Sequence, residues 1–266
     1  MNSFTWRFVL ASEIGTAHAR LTIPCQDASL CDVVTHEADG PVLIAVISDG
    51  AGSAEKSDVG SQLTCRVAWR EISARLESIA SVADLDRNFA DNLLQTIQEE
   101  LDTKAALDGL ATREYACTLL AAIVGAHSAT FIQVGDGAIV VSAEGEDSDY
   151  SWVFWPSTIE YENVTVFVTD VRAAHYLAFA NAPQPITDLA LFSDGLQRLA
   201  LNYATRSVHL PFFRSMLAVL KVTPDDSVAA LNPALRRFLS SPQVNERTDD
   251  DKSLILAVRT QRGYQS

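Results

Sequence analysis

Three apolar, strand-length runs of this chain end in the same dipeptide. Val42-Leu-Ile-Ala-Val-Ile-Ser48 runs into Asp49-Gly50. Phe131-Ile-Gln-Val134 runs through Gly135 into Asp136-Gly137, and Leu189-Ala-Leu-Phe-Ser193 into Asp194-Gly195. A buried strand holds its last residue rigidly, so an Asp there is placed at a sheet edge. The Gly after it lets the chain turn or approach a ligand closely. Two further acidic sites stand beside these: Asp27 follows Pro24-Cys25-Gln26, and Asp249-Asp250-Asp251 precedes the last strand-like run.

Each dipeptide taken singly has a structural alternative, because Asp-Gly after a strand is also a hairpin signal. Asp136-Gly137 lies between two strand-like runs and fits that alternative best. Asp49 does not, since Ala51-Gly52-Ser53 and then a helical pattern follow it. Asp170 also ends an apolar run, but Val171-Arg172 follows, and we read it as structural. Taken together, carboxylates gathered at one edge repel unless cations offset their charge. All-oxygen ligation suits Mg²⁺ or Mn²⁺. Two such ions about 3.5–4 Å apart can hold a bridging water as hydroxide and clamp phosphoryl oxygens for in-line attack.

Strand-like runs cover Thr5–Leu10, Val42–Ser48, Thr118–Val124, Thr130–Val134, Ile139–Ser142, Trp152–Trp155, Val164–Thr169, Leu189–Ser193 and Ser253–Arg259. Between the second and third, two apolar stripes predict helices: Val59, Leu63, Val67, Ile72 and Leu76, then Leu85, Phe89, Leu93, Ile97 and Leu101. Phe213 to Leu220 and Leu231 to Phe238 predict two more, with Pro211, Pro224 and Pro233 bounding or starting them. Strands in runs with helices in pairs point to an α+β protein with antiparallel sheets. The acidic stretch Glu144 to Asp149 reads as a hairpin loop. We expect one domain spanning residues 1–266.

The formal net charge of -14 leaves no basic footprint for nucleic acid. Cys25, Cys31, Cys65 and Cys117 form no C-x-x-C pair and no zinc-type spacing with histidine. The N-terminal segment reads as neither a signal peptide nor a membrane span, so a reduced, cytoplasmic protein is expected.

In order, the motifs are Gly15-Thr16-Ala17-His18, Pro24-Cys25-Gln26-Asp27, Ser48-Asp49-Gly50-Ala51-Gly52-Ser53, Gly135-Asp136-Gly137, Ser193-Asp194-Gly195-Leu196 and Asp250-Asp251-Lys252-Ser253. The chain resembles, over nearly its whole length, the metal-dependent protein serine/threonine phosphatases of the protein phosphatase 2C type. Within them it is most similar to a bacterial subgroup with the Pro-Cys-Gln-Asp element. The resemblance implies a four-layer αββα sandwich: two packed antiparallel sheets flanked by helices, with the metals in a cleft at one edge. It implies that Asp49 bridges two divalent cations, Mn²⁺ or Mg²⁺. The carbonyl of Gly50 completes one site, Asp194 and Asp250 hold the first metal, and Asp27 reaches the second directly or through water. Asp136 and Asp194 would form a weaker third site. The acidic run leaves one residue of register open, and aligning Ser253 with the family's Thr selects Asp250.

The chain departs from that pattern in three places. Thr22 stands where the family carries its phosphate-binding Arg; Arg20, two residues earlier, is the candidate replacement, because a guanidinium can grip a phosphate in bidentate fashion. Gly137-Ala138 replaces a common Ser-Arg pair after Asp136. Arg198 replaces an Asp of the third metal site, where it either neutralises the acidic cleft or binds substrate.

His18 is a candidate general acid for the leaving alkoxide, since an ordinary imidazole titrates near neutrality; its alternative is to fix the loop around Gln26. His36, His127, His175 and His209 have no such surroundings in sequence. Trp152 and Trp155 are assigned to packing, and Cys25 lacks the C-x5-R loop of a cysteine nucleophile.

The reading is a phosphoric monoester hydrolase acting on phosphoserine or phosphothreonine, with a metal-bound hydroxide as nucleophile and no covalent phosphoenzyme. Asp49, Asp194 and His18 carry the chemistry, in a signalling role. The alternatives are a non-catalytic phosphoprotein- or partner-binding module on the same fold, and a small phosphorylated metabolite as substrate. The expected partners are a phosphoprotein and a separate regulatory protein, with neither nucleic acid nor membrane. Ser142 to Ile186, with Trp152, Trp155 and Tyr161, is expected to cover the cleft.

Overall fold

Every side chain from Val42 to Ile47 is fully buried, and successive side chains of a strand point to opposite faces. Val42, Ile44 and Val46 join one apolar core, while Leu43 and Ile47 join another. A strand covered on both faces needs a layer on each side, and the rest of the fold supplies them.

The computed structural model describes residues 4–143, 149–156 and 165–261. Its strands are β1 (Phe4–Glu13), β2 (Ala28–His36), β3 (Gly40–Ser48), β4 (Leu119–Val124), β5 (Ala129–Val134), β6 (Ala138–Ala143), β7 (Ser151–Trp152), β8 (Ala178–Ala182), β9 (Ile186–Phe192), β10 (Leu201–Asn202), β11 (Ser207–Val208) and β12 (Lys252–Gln261). Its helices are α1 (Thr16–Leu21), α2 (Ser57–Leu76), α3 (Arg87–Asp108), α4 (Ala173–Tyr176), α5 (Gln197–Ala200), α6 (Leu210–Val222), α7 (Asn232–Leu239) and α8 (Pro242–Asn245). One five-stranded sheet runs β1-β12-β9-β6-β7 and the other β2-β3-β4-β5-β8, while β10 and β11 form a separate ribbon. Neighbouring strands in both large sheets are antiparallel.

Period-two alternation divides the interior into three cores. Between the sheets pack Trp6, Leu43, Ile47, Phe131, Leu191 and Ile255. The outer face of the β3 sheet packs Val42, Ile44 and Ile123 against Val67 and Ile72 of α2 and Leu93 and Ile97 of α3. The outer face of the β12 sheet packs Phe192, Leu254 and Leu256 against Phe213 and Leu217 of α6 and Leu235 of α7. This is the αββα sandwich. A buried Leu or Ile contributes about 2 kcal/mol here through the apolar surface it removes from water. The helices follow from their stripes: α3 buries Leu93, Ile97 and Leu101 at four-residue spacing, and Asp86 caps it by accepting from the Phe89 N–H at 2.9 Å.

Three readings change. Residues 165–169 are not a strand: Asp170 Oδ2 accepts from the Phe167 N–H at 2.8 Å, and the Val168 N–H donates to the Cys117 carbonyl, so the backbone is spent on a turn. Val164 and Tyr161 lie outside the described residues, as does most of the predicted 144–149 hairpin loop. The run Trp152–Trp155 is strand only at Ser151–Trp152; Trp155 turns away to meet the rings of Trp152 and Tyr203 at 5.5 and 5.4 Å. Four strands escape the apolar-run criterion: the two-residue strands β10 and β11, and the longer β2 and β8. β2 and β8 are the two edges of one sheet, and both carry polar residues accordingly.

Candidate metal centre

The carboxylates come from segments far apart in sequence. Asp49 follows β3 directly, and its position is fixed on both sides of the backbone. Its N–H donates to Thr118 Oγ1 at 2.9 Å, and its carbonyl accepts from the Thr118 N–H at 2.8 Å. Gly50 then pairs with Cys117, continuing the sheet edge past the end of β3. A Cβ on Gly50 would stand 2.6 Å from the Gln26 carbonyl, and one on Gly195 would stand 2.0 Å from the Asp251 carbonyl. Neither glycine serves a hairpin. Each lets another stretch of backbone pass close by the neighbouring aspartate.

Asp136 is not in a hairpin either. It lies between β5 and β6, which belong to different sheets, so the chain crosses the sandwich there. Thr165 Oγ1 donates to its Oδ2 at 2.6 Å, and Gln197 Nε2 donates to its carbonyl. Asp194 starts the turn after β9, leading into α5. Asp27 is buried just before β2, and its Oδ2 accepts from Ser193 Oγ at 2.7 Å.

A cleft of about 300 Å³ is lined by His18, Asp49, Gly50, Asp136, Asp194 and Asp250, with Thr118, Thr165 and Phe167 on its walls. Six of the seven residues singled out for metal or proton chemistry therefore border one space. Asp27 lies behind it. Thr165 and Phe167 belong to the segment expected to cover the cleft; Trp152 and Trp155 do not line it.

The electrostatics match this crowding. Burial, then the charges of Asp27, Asp194 and Asp136, push the Asp49 carboxyl well above the ordinary range. Burial and the Asp251 charge raise Asp27 to about 7, against the opposing bond from Ser193. Burial and the Asp136 charge raise Asp194 to about 6. Asp250 is raised as well, by burial first. Among the described residues, Asp27 Oδ1 and Asp194 Oδ1 are buried without a hydrogen-bond partner. Buried carboxylate oxygens left bare are costly, and a bound cation removes the cost.

Among the described residues no three His, Cys, Asp or Glu groups already form a closed cage. Mg²⁺ does not ask for one, because it keeps several waters and binds through one or two carboxylates. The all-oxygen donors, the raised pKa values and the bare oxygens all fit a hard divalent cation, and Asp49, Gly50, Asp194, Asp250 and Asp27 would hold it.

Two carboxylates of the acidic run differ in what they touch. Asp250 is exposed as a residue, with its carboxyl partly desolvated, and borders the cleft. Asp251 is buried and already engaged: Oδ1 accepts from the Gly15 N–H and Oδ2 from the Gln26 N–H, each at 2.6 Å. Asp251 thus pins the segments before α1 and β2 to the start of β12. His18 Nδ1 lies 2.9 Å from the same Oδ2, without hydrogen-bond alignment, while its ring borders the cleft. Both readings of His18 keep a structural basis.

Arg20 is exposed on the last turn of α1 and is not among the residues lining this cleft. Arg198 borders an adjoining groove instead. Sequence reading missed Ser193, Thr165 and Gln197 as partners of the aspartates. Ser193 stands inside the Ser-Asp-Gly motif and could have been found; Thr165, 29 residues from Asp136, carries no local signal.

Residues 14–240 match the sequence model of a family described as Protein phosphatase 2C. Serine/threonine-protein phosphatase 3 of Escherichia coli (strain K12) is 35% identical over 254 residues, covering 96% of this chain and 98% of that protein. Among solved structures, a bacterial serine phosphatase superposes with a TM-score of 0.61 at 17% identity, covering 96% of this chain and 98% of the other. The catalytic domain of the serine/threonine protein phosphatase PstP, solved with two manganese ions, gives 0.58 at 11% identity, covering 97% and 100%. At these identities the two structures show a shared fold.

Proposed function

Because the chain belongs to the protein phosphatase 2C family, we propose that it is a metal-dependent protein phosphatase that hydrolyses phosphoserine and phosphothreonine. One observation carries the reading: Asp49, Asp136, Asp194 and Asp250 converge on one cleft, and Asp194 Oδ1 and the nearby Asp27 Oδ1 are buried and bare. Two divalent cations, when bound, would lower the pKa of a shared water and draw charge from the phosphoryl oxygens.

The chain's own residues do the rest. Asp49, held by Thr118, would lie between the ions. Asp194 and Asp250 would hold one and the Gly50 carbonyl would complete a site. Asp27, behind Asp49, would reach the second ion directly or through water. Asp136 and Asp194 are the residues for a weaker third ion, and the exposed Arg198 offers it no further ligand. His18 faces the cleft where a leaving serine or threonine oxygen needs a proton, and Asp251 sits beside its far nitrogen. Arg20 remains the proposed phosphate grip from sequence, though its place outside the cleft lining gives it no support.

The substrate partner is a phosphoprotein. A net charge of -14 speaks against nucleic acid, and no described helix is long and apolar enough to cross a membrane. Four unpaired cysteines fit a reduced compartment, which supports a cytoplasmic signalling role. A separate regulatory protein belongs to the same proposal.

The test is turnover of phosphoserine and phosphothreonine peptides with Mn²⁺, without it and after chelation. Metal-dependent release of phosphate is expected. Tight phosphopeptide binding without turnover under any metal would favour the non-catalytic module. Turnover of small phosphate esters alone would favour a metabolite substrate.

A further inference from the structure

Beside the metal cleft lies a larger groove of about 590 Å³. The two share Asp194 and Asp250, so the groove begins where the metal-binding carboxylates end. Its walls include Arg198, Arg247, Tyr203, Asn245, Glu246 and Asp249. It is also tied to the cleft: the Tyr203 hydroxyl donates to Gln197 Oε1, and Gln197 Nε2 donates to the Asp136 carbonyl.

Several arginines of this chain pair with carboxylates, and among the described residues the two in this groove do not. With a net charge of -14, cations find carboxylates easily. Arg7 meets Asp225, Arg70 meets Glu71 and Glu100, and Arg214 meets Asp149. Arg198 and Arg247 are exposed, and among the described residues their side chains make no hydrogen bond or ion pair, although Glu246 and Asp249 line the same groove. Two guanidinium groups are thus left with their donors unspent, at the exit of a site that takes an anionic substrate. The groove has about twice the cleft's volume, which suits a stretch of chain more than a lone phosphate.

Resting on the phosphatase reading, we propose that this groove binds the segment of substrate flanking the phosphorylated residue, and that Arg198 and Arg247 select substrates with an anionic side chain there. The anion is a carboxylate or a second phosphate, which share the same oxyanion chemistry. No covalent step is added. The arginines act on substrate choice, and the metal cleft on hydrolysis.

The experiment measures kcat/KM on phosphothreonine peptides in which one Glu, or one phosphoserine, is moved through an otherwise neutral sequence. Extended chain advances about 3.3 Å per residue, so moving the anion through roughly four positions on either side scans about 13 Å in each direction. Wild-type protein should prefer some anion-bearing peptide over the neutral one, by about two- to five-fold per arginine, the range of an exposed ion pair. The Glu and phosphoserine series show which anion is taken. In the Arg198→Ala/Arg247→Ala double variant that ratio should fall to about one. Arg198→Glu/Arg247→Glu should invert it toward a Lys-bearing peptide. Because the readout is a ratio, a common loss of activity cannot imitate the result. Wild-type turnover with no anionic preference, or a preference that survives both double variants, overturns the inference and leaves the phosphatase reading standing. Absence of Mn²⁺-dependent turnover on every peptide and on p-nitrophenyl phosphate would instead remove the reading it rests on.

Discussion

Ser193 Oγ donates to Asp27 Oδ2 at 2.7 Å, joining the last residue before the Asp194 turn to the carboxylate that precedes β2. The bond runs from one sheet to the other at the edge where the cleft opens. The same hydroxyl accepts from the Ser253 N–H at 2.9 Å, so it is satisfied twice in a buried site. It also settles which Asp27 oxygen is left bare. Ser193→Ala should therefore cost about 1–3 kcal/mol in chemical denaturation, the range for stranding buried partners. It should also weaken Mn²⁺ binding by freeing Asp27 to rotate. A variant with wild-type stability and affinity would contradict this role.

Adjacent aspartates should behave in opposite ways. Asp251→Asn disturbs a buried carboxylate that accepts from the Gly15 and Gln26 N–H groups. We expect a loss of about 2 kcal/mol or more in unfolding free energy. Asp250→Asn, at an exposed residue of the cleft, should leave metal-free stability unchanged or raised and lower Mn²⁺ affinity. Parallel melts and titrations of the two variants check both halves, and a reversed pattern would move the ligand assignment to Asp251.

Leaving groups separate the two readings of His18. An alkoxide leaving serine or threonine needs a proton, whereas p-nitrophenolate does not. As a general acid, His18→Gln should lose about 10²-fold or more on a phosphopeptide and far less on p-nitrophenyl phosphate. Equal losses on both substrates would assign His18 to holding the loop beside Asp251.

The metal-free protein should be more stable in mild acid than in base. Asp27 at about 7 and Asp194 at about 6 lie above the ordinary carboxylate value. The folded state binds these protons more tightly than the unfolded chain does. Their contribution to stability is therefore complete below about pH 4 and is lost as pH rises through about 6 to 7. Melting temperatures of chelated protein should fall over that interval. Mn²⁺ should raise them more at pH 8 than at pH 5, because cation and proton compete for the same oxygens. Identical metal-induced shifts at both pH values would contradict the crowding of carboxylates described above.

Much of this architecture is legible in the sequence because burial imposes a pattern. The run Val42 to Ile47 is apolar without a break because both of its faces are covered, and the stripe Leu93, Ile97, Leu101 follows from a helix lying on a sheet. The aspartates stand out because each closes such a run. Edge strands are harder to see: β2 interleaves Asp32 and Thr35 with apolar residues, since one margin faces water. Turns held by a side chain mislead in the other direction, as Asp170 does for the apolar segment before it. Partners set by tertiary contact, such as Thr165 and Gln197 for Asp136, have no local signature. Their spacing is decided by how two sheets stack, which no short window of sequence contains.

The central claim is that carboxylates anchored by Asp49 hold the ions that hydrolyse the phosphate ester. It is tested most directly by hydrolysis of p-nitrophenyl phosphate across a Mn²⁺ titration, for wild type and Asp49→Asn. The wild-type rate should rise with Mn²⁺ and vanish on chelation. Asp49→Asn should stay folded, with unchanged or higher metal-free melting temperature, and lose about 10³-fold or more in rate. An Asp49→Asn protein that turns over at the wild-type rate, at any Mn²⁺ concentration, would contradict the account.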